Sequence, residues 1–597
     1  MHKRLFGILA SIAVIAAACG GATTSSAPPS APAVSTAPGQ STTPVQSAAP
    51  SAADLATDQT LKIPLDGEPP TLDPNKAQDS TSIAVLHALG RGLLYLDKDG
   101  KVVPALAAAL PTVSADSKTL TFTLKDNLKY SNGDPIVAGD FVYSIKRTLD
   151  PRTAAPYAYV LCEIAGADAL LGSGNGCGTK PAPTSDADIE AALKNVGVSA
   201  PDDKTVVVQL AKPATYFTSV LALWIAVPVE KKWITSPNPT EAANYVSSGP
   251  FILTEWKHNS TIVLKPNPNW SGDVKPTLTE IDMAITAEPA QEQAAYENGE
   301  TVMVQTPSED IQRVKADPVL GPQVQEIPTL SITYYTYNNG VDPKTLKAFT
   351  RCADPKACPT TNKDFRIALT QAIDKKAFIN ATFAGVGAPA NSFVMPGIAG
   401  YQKDLDPYPF DLTSAKAHMA TALAALGVSD AASLGKLKFG FNTGGGHEPR
   451  VAFLAEAWRT AFGLQTEQIG TEFSVFLTQR TAGVYDIARD GWGADYPHAQ
   501  NQLGLFVCGG GNNDVQYCNP DYDKLMARAA AEADQTKQVD LYDQAQTILF
   551  NDAAMLPLRF GLTTYEIAPS VGGITISVND ARLPGDANYE TMFIKKQ

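Results

Sequence analysis

The chain has 597 residues, 47 of them basic and 61 acidic, and a formal net charge of −14. At roughly 150 residues per domain, that length makes about three or four units. The negative charge, with no basic run after the first four residues, argues against nucleic acid as a partner.

In chain order, His2, Lys3 and Arg4 form a positive head on the apolar run LFGILASIAVIAAA. That run is too short for a comfortable membrane span and ends in small residues, so residues 1–18 read as a signal peptide. Cys19 follows directly, and IAAAC resembles the lipobox of bacterial lipoproteins, with Ala16 where leucine is commonest. The resemblance implies a lipid on Cys19; two acyl chains suffice for stable anchoring on the outer face of a membrane. The alternative is an ordinary signal peptide with an incidental cysteine. Residues 19–57 are nearly all Ser, Thr, Ala, Pro and Gly. Such a segment cannot bury enough apolar surface to offset its ordering entropy and reads as a flexible tether.

The folded body is expected from about Thr60. LKIPLDG alternates like a strand, and DSTSIAVLHALGRGLLYLD carries helical apolar spacing up to a turn. KTLTFTLKDNLKYSNGDPIVAGDFVYSIKRTLD reads as strand, turn, strand, then a helix near Ala138 with Asp140 in its first turn. TVVVQLAKP is a strand, SGPFILTEWKHNSTIVLKPNPNW a hairpin around KHNS, and LSITYYTYNNG an alternating aromatic strand. DFRIALTQAIDKKAFINATFAG reads as one amphipathic helix stopped by Gly385. ASLGKLKFGFNTGGGHEPRVAFLAEAWRTAFG reads as a strand, a Gly-rich turn and a helix, and QVDLYDQAQTILFNDAAMLPLRFG as a helix running into a strand. Interleaved helices and strands without an internal repeat make a mixed α/β chain of more than one lobe.

Besides Cys19 there are six cysteines, in three close pairs. An even count in an exported chain reads as disulfides: Cys162–Cys177, Cys352–Cys358 and Cys508–Cys518. A zinc site is the alternative, but the spacings match no standard finger. Enzyme motifs are missing. There is no G-x-S-x-G elbow, no P-loop and no G-x-G-x-x-G after a strand, and HEPRV lacks the second histidine of a zincin. Nothing recommends an enzyme, a cofactor or a metal.

The stretches PTLDPNKA, GRGLLYLDKDGKVVPALA, LTFTLKDNLKYSNGDPIVAGDFVYSIKRTLDPRTAAPYAY, SSGPFILTEWKHNSTIVLKPNPNW, DFRIALTQAIDKKAFI and YDIARDGWGADYP are long and correctly ordered. Through them the chain, from about residue 60 to 597, resembles the extracytoplasmic solute-binding proteins of ABC importers, in the peptide-binding group (family 5), and among these the oligopeptide-binding lipoproteins. The resemblance implies a two-lobed periplasmic-binding-protein-like fold of type II with an extra domain, closing by a hinge. Residues 58–90, 229–330 and 560–597 would form domain I, 91–228 the extra domain II, and 331–559 domain III.

The resemblance also implies site residues. Asp495 would pair with a peptide's α-ammonium, because two lobes closing strip water from both charges. Arg480, Arg489 and His447 would meet its C-terminal carboxylate, directly or through water. Gly491 and Gly493 would let the backbone approach the ligand. Trp492, Phe473 and Tyr157 would be pocket walls. Gln78, Asp79 and Ser80 would lie along the peptide backbone by strand addition. The implied function is capture of short peptides outside the cell by a lipid-anchored monomer and delivery to a membrane permease. The alternatives are another solute of the family (a dipeptide, an oligosaccharide or a metal–chelate) or a surface adhesin or peptide-signal receptor not coupled to import.

Overall fold

The structure is a computed structural model. It describes residues 54–596 except 99, 173–176, 178–180, 287, 343–344, 444–445, 511 and 578, and leaves out the side chains of 473 and 474. The signal peptide, Cys19 and nearly all of the tether lie outside the described residues.

Three sheets carry the fold. The first orders Thr60–Leu65, Glu280–Ile285, Thr261–Pro266 and Phe251–Lys257; only its first pair is parallel. Alternate residues (Leu61, Ile63, Phe251, Leu253, Ile262, Leu264, Ile281, Met283) enter one core, as period-2 patterning requires. The hairpin turns at Asn259, in the left-handed region. The second sheet is small, with order Thr112–Val113, Thr119–Thr123, Thr205–Gln209, Val198–Ser199. Its Leu120, Phe122, Val206 and Val208 pack in one core with Phe141, Ile145 and Leu149 of the helix Ala138–Leu149.

The third sheet orders Met303–Gln305, Met555–Ile567, Val324–Tyr337, Ile487–Gly493, Lys436–Asn442 and Gln465–Thr471, with Ala388–Pro389 paired beside Met555–Ile567. Helices cover both faces. Tyr335, Tyr337 and Phe439 meet Phe365, Leu369 and Trp458 on one side. Ile332, Tyr334 and Phe560 meet Phe393, Phe506 and Leu549 on the other. Two long strands join this lobe to the first. Met555–Ile567 buries Leu556 and Leu558 here but Tyr565 and Ile567 in the core of the first sheet. Val324–Tyr337 likewise packs Ile327 against that first core.

All three cysteine pairs are bonded, with Cα–Cα distances of 5.3, 5.1 and 4.7 Å in chain order. Three local readings change. The helix in STSIAVLHAL ends at Leu89, and Leu94–Leu96 is a short strand paired with Val102–Pro104. In DNLKYSNGDPIV the expected second strand is a single bridge, Lys129 to Pro135, because Pro135 has no N–H to extend a ladder. The helix expected from Asp364 to Gly385 is two helices, Lys363–Gln371 and Lys375–Thr382. Asp374 breaks it: its carboxylate accepts the N–H groups of Lys376 and Ala377, which caps the second helix.

Candidate functional site

The strand Ile487–Gly493 lies in register with Val324–Tyr337, from Tyr337 opposite Ile487 to Ser331 opposite Gly493. The pairing continues one step, Ala494 N–H donating to Leu330 O at 2.7 Å, and delivers the chain to Asp495. Asn501, on the helix Ala499–Leu503, fixes that turn. Its Oδ1 accepts from the indole N–H of Trp492 (2.8 Å) and the backbone N–H of Asp495 (3.2 Å). Its Nδ2 donates to Asp495 Oδ2 at 3.0 Å. The other carboxylate oxygen accepts the hydroxyl of Tyr157 at 2.7 Å, from 338 positions earlier in the chain.

Asp495 is thus gripped from two directions, by neutral groups alone. Among the described residues no cation lies within ion-pair distance of it. Burial pushes its carboxyl above the usual carboxylate range, while hydrogen bonds from Tyr157, Asn501 and Tyr159 hold it back. Neutral donors orient a charge without cancelling it, so the site keeps a place for a cation. The rings of Tyr159 and Trp224 lie 5.3 and 5.1 Å from that of Tyr157. Trp224 also donates to Ala77 O at 3.1 Å, which ties in the segment Gln78–Ser80. There Asp79 is extended and caps the helix Ser80–Leu89 by accepting Ser82 N–H, while Gln78 and Ser80 are exposed.

Gly491 and Gly493 have ordinary extended backbones. A Cβ on Gly491 would meet Ile332 O at 3.3 Å, and one on Gly493 would meet nothing within 4 Å, so the surface over Gly493 is open. Trp492 points to the opposite sheet face, where it is half-buried against the cluster of Ile332, Phe393 and Ala499. Phe473 begins the helix Phe473–Thr481; its side chain is outside the described part.

The basic residues separate into two kinds. Arg480 is buried, with Asp490 Oδ1 at 2.7 Å and Asp514 Oδ2 at 2.6 Å. Burial pulls its guanidinium down, but the two carboxylates outweigh it and the net shift is upward. One guanidinium between two carboxylates carries no surplus positive charge to offer a ligand, and the triad braces the strand end through Asp490. Arg489 stands on the other sheet face, half-buried, its guanidinium 5.2 Å from the centre of the Phe476 ring. Its pKa is lowered by burial and by Arg480 and Arg450. His447 opens the helix His447–Phe462 after Gly446, which is left-handed at φ 65°. Burial, Arg489 and Arg450 push its imidazole down to about 4, so at neutral pH it meets a carboxylate as an uncharged hydrogen-bonding ring.

Sequence reasoning missed Tyr159, Asn501 and Trp224, which surround Asp495 and Tyr157, and Arg450, which meets His447. Arg450 was visible in principle: it lies three positions after His447, on the same helix face. Tyr159 and Asn501 lie close in sequence to Tyr157 and Asp495, while Trp224 arrives only through tertiary contact.

A carboxylate oriented by neutral donors beside aromatic rings, with a half-buried guanidinium on the strand leading to it, suits a protein that binds a solute. Residues 101–514 match the family described as bacterial extracellular solute-binding proteins, family 5 Middle. The chain is 31% identical to the oligopeptide-binding protein OppA of Bacillus subtilis over 530 residues, 86% of this chain and 90% of that one. It is 30% identical to the periplasmic oligopeptide-binding protein OppA of Salmonella typhimurium, covering 88% and 91%. The crystal structure of Haemophilus influenzae OppA complexed with RPPGFSPFR superposes with a TM-score of 0.68 at 26% identity, covering 91% of this chain and 100% of that one. The protein belongs to family 5 of the bacterial extracellular solute-binding proteins. It is an extracytoplasmic α/β binding protein of two lobes and not an enzyme. No helix among the described residues is long and apolar enough to cross a membrane.

Proposed function

We propose that this protein captures short peptides in the cleft, held to the membrane by a lipid on Cys19, and hands them to an ABC permease. The observation that carries the reading is Asp495: a carboxylate oriented by Tyr157 and Asn501, with no cation beside it among the described residues. A peptide's α-ammonium supplies that cation. Its terminal carboxylate falls to Arg489, with His447 donating a hydrogen bond. Arg480, already between two carboxylates, holds the strand in place.

Spacing favours the assignment. Arg489 and Asp495 are six positions apart along a nearly extended chain, so their backbones are separated by at most about 20 Å. Extended peptides of about three to five residues span roughly 10 to 18 Å. The relatives named for oligopeptides, and the one solved with RPPGFSPFR, support the same ligand class. A neutral oligosaccharide brings no ammonium for Asp495 and no carboxylate for Arg489.

The test is calorimetric titration with tri- to pentapeptides and their N-acetylated forms. Free peptides are expected to bind and acetylated ones to bind at least about thirtyfold more weakly, since the buried carboxylate is left unpaired. Equal affinity of the two forms refutes the amine anchor.

A further inference from the structure

The face of the third sheet that carries Arg489 carries a second guanidinium. Residues directly opposite across a ladder share a face. Tyr335 is opposite Arg489. Thr333 is opposite Gly491 on one side and Arg559 on the other. Arg559 therefore projects from the same surface as Arg489, two strands away. From the covering helices come Phe383 and Arg450. The guanidinium carbons of Arg450 and Arg559 lie 4.1 and 4.2 Å from the centre of the Phe383 ring. Stacking on one ring holds both planar groups in place and leaves their N–H edges to point elsewhere.

Arg559 has two protein acceptors, Val386 O at 2.7 Å from Nε and Leu562 O at 3.2 Å from Nη2. Both are carbonyls. Among the described residues no carboxylate lies within ion-pair distance of Arg559, although it is half-buried. Burial and the neighbouring Arg450 push it down to about 10. Arg450, which donates to His447 Nδ1 at 3.3 Å, is lowered by burial alone, against the opposing charge of Glu448. A cation depressed by burial and by a neighbouring cation is relieved when an anion arrives beside it. With Arg489 on the ligand's terminal carboxylate, Arg559, whose protein acceptors are carbonyls alone, is placed for a further anion beside Arg450.

We propose that Arg559 and Arg450, both stacked on the Phe383 ring, form a subsite for a second carboxylate on the ligand, so that this protein prefers peptides with an acidic side chain at or near the C-terminal end. The inference rests on the peptide reading. Arg489 would be shared between the two carboxylates, and the neutral His447 would stay a hydrogen-bond donor.

The test compares tri- and tetrapeptides of alanine ending in Glu with the same peptides ending in Gln, a pair equal in shape and different in charge. Calorimetry on the wild-type protein is expected to give at least about tenfold tighter binding for Glu. In Arg559→Gln the Glu-to-Gln ratio should fall to about threefold or less, and Arg559→Lys, which restores the charge without the planar fork, should recover part of it. Arg450→Gln supplies the same ratio if Arg559→Gln does not fold. A wild-type ratio near one, or a ratio unchanged in the variants, overturns the subsite while leaving the peptide reading intact. If neither peptide binds the wild-type protein, the peptide reading itself falls, and this inference with it.

Discussion

Replacing Asp495 by asparagine puts the amine anchor under the most direct strain. The substitution keeps size and shape and removes the charge. The local hydrogen bonds survive: the new carbonyl oxygen accepts from Asn501 Nδ2, and the new amide donates to the Tyr157 hydroxyl, which can accept as well as donate. Two effects of opposite sign are expected. Peptide binding loses one partner of a desolvated charge pair, about 2 to 5 kcal/mol, or roughly thirtyfold to several thousandfold in Kd. The unliganded protein should lose nothing. Its carboxyl is raised mainly by burial, so the neutral form is the one the fold favours. A raised acid stabilises the folded state below its ordinary range, and that contribution is lost as pH rises through the folded value. Wherever Asp495 is ionised, the wild-type, ligand-free protein carries an uncompensated charge that the Asp495→Asn variant does not. Calorimetric titration gives the first effect, and scanning calorimetry of ligand-free protein the second. A Tm that is unchanged or higher, together with the affinity loss, supports the account. N-acetylation of the peptide should cost little further in the variant, because the two changes remove the same contact. An affinity loss under about threefold, or a fall in ligand-free stability as large as the affinity loss, sinks the reasoning.

Two other changes separate structural from binding charges. Arg480→Gln leaves Asp490 and Asp514 buried without their shared cation, and denaturant unfolding should report a loss of about 3 to 5 kcal/mol; unaltered stability with weakened peptide binding would instead make Arg480 a ligand residue. On acidification, His447 and His498, both pushed down to about 4 by burial first, must take up protons in the unfolded chain before the folded one. Their contribution to stability is therefore lost as pH falls from about 6.5 towards 4, the ordinary histidine value being about 6.5. His498→Gln should flatten the slope of Tm against pH in that window, and an unchanged slope refutes the assignment.

Local patterning made much of this molecule readable. The period-2 runs LKIPLDG and TVVVQLAKP are strands because alternate side chains had a core to enter. The six paired cysteines close short loops whose ends are near in any compact fold. The stretch YDIARDGWGADYP marks Asp495 through its likeness to a known pattern, whatever the rest of the chain does. Where reading failed locally, a side chain competed with the backbone, as Asp374 does in the middle of an apparently continuous helix.

What no window of sequence contains is which charges meet. Asp490 and Asp495 are both acids beside glycine or alanine in one short stretch, yet the first closes on Arg480 and the second on Tyr157 and Asn501. Sheet alternation sends Asp490 and Arg489 to opposite faces, so neighbours in sequence face different environments. Arg559 looked like any strand residue until Phe383 and Arg450, from separate parts of the chain, were packed against it. Element type follows from short-range periodicity, which the chain carries within itself. Whether a charge is spent or available depends on partners hundreds of residues away and on the water that packing removes, and only the assembled structure sets those.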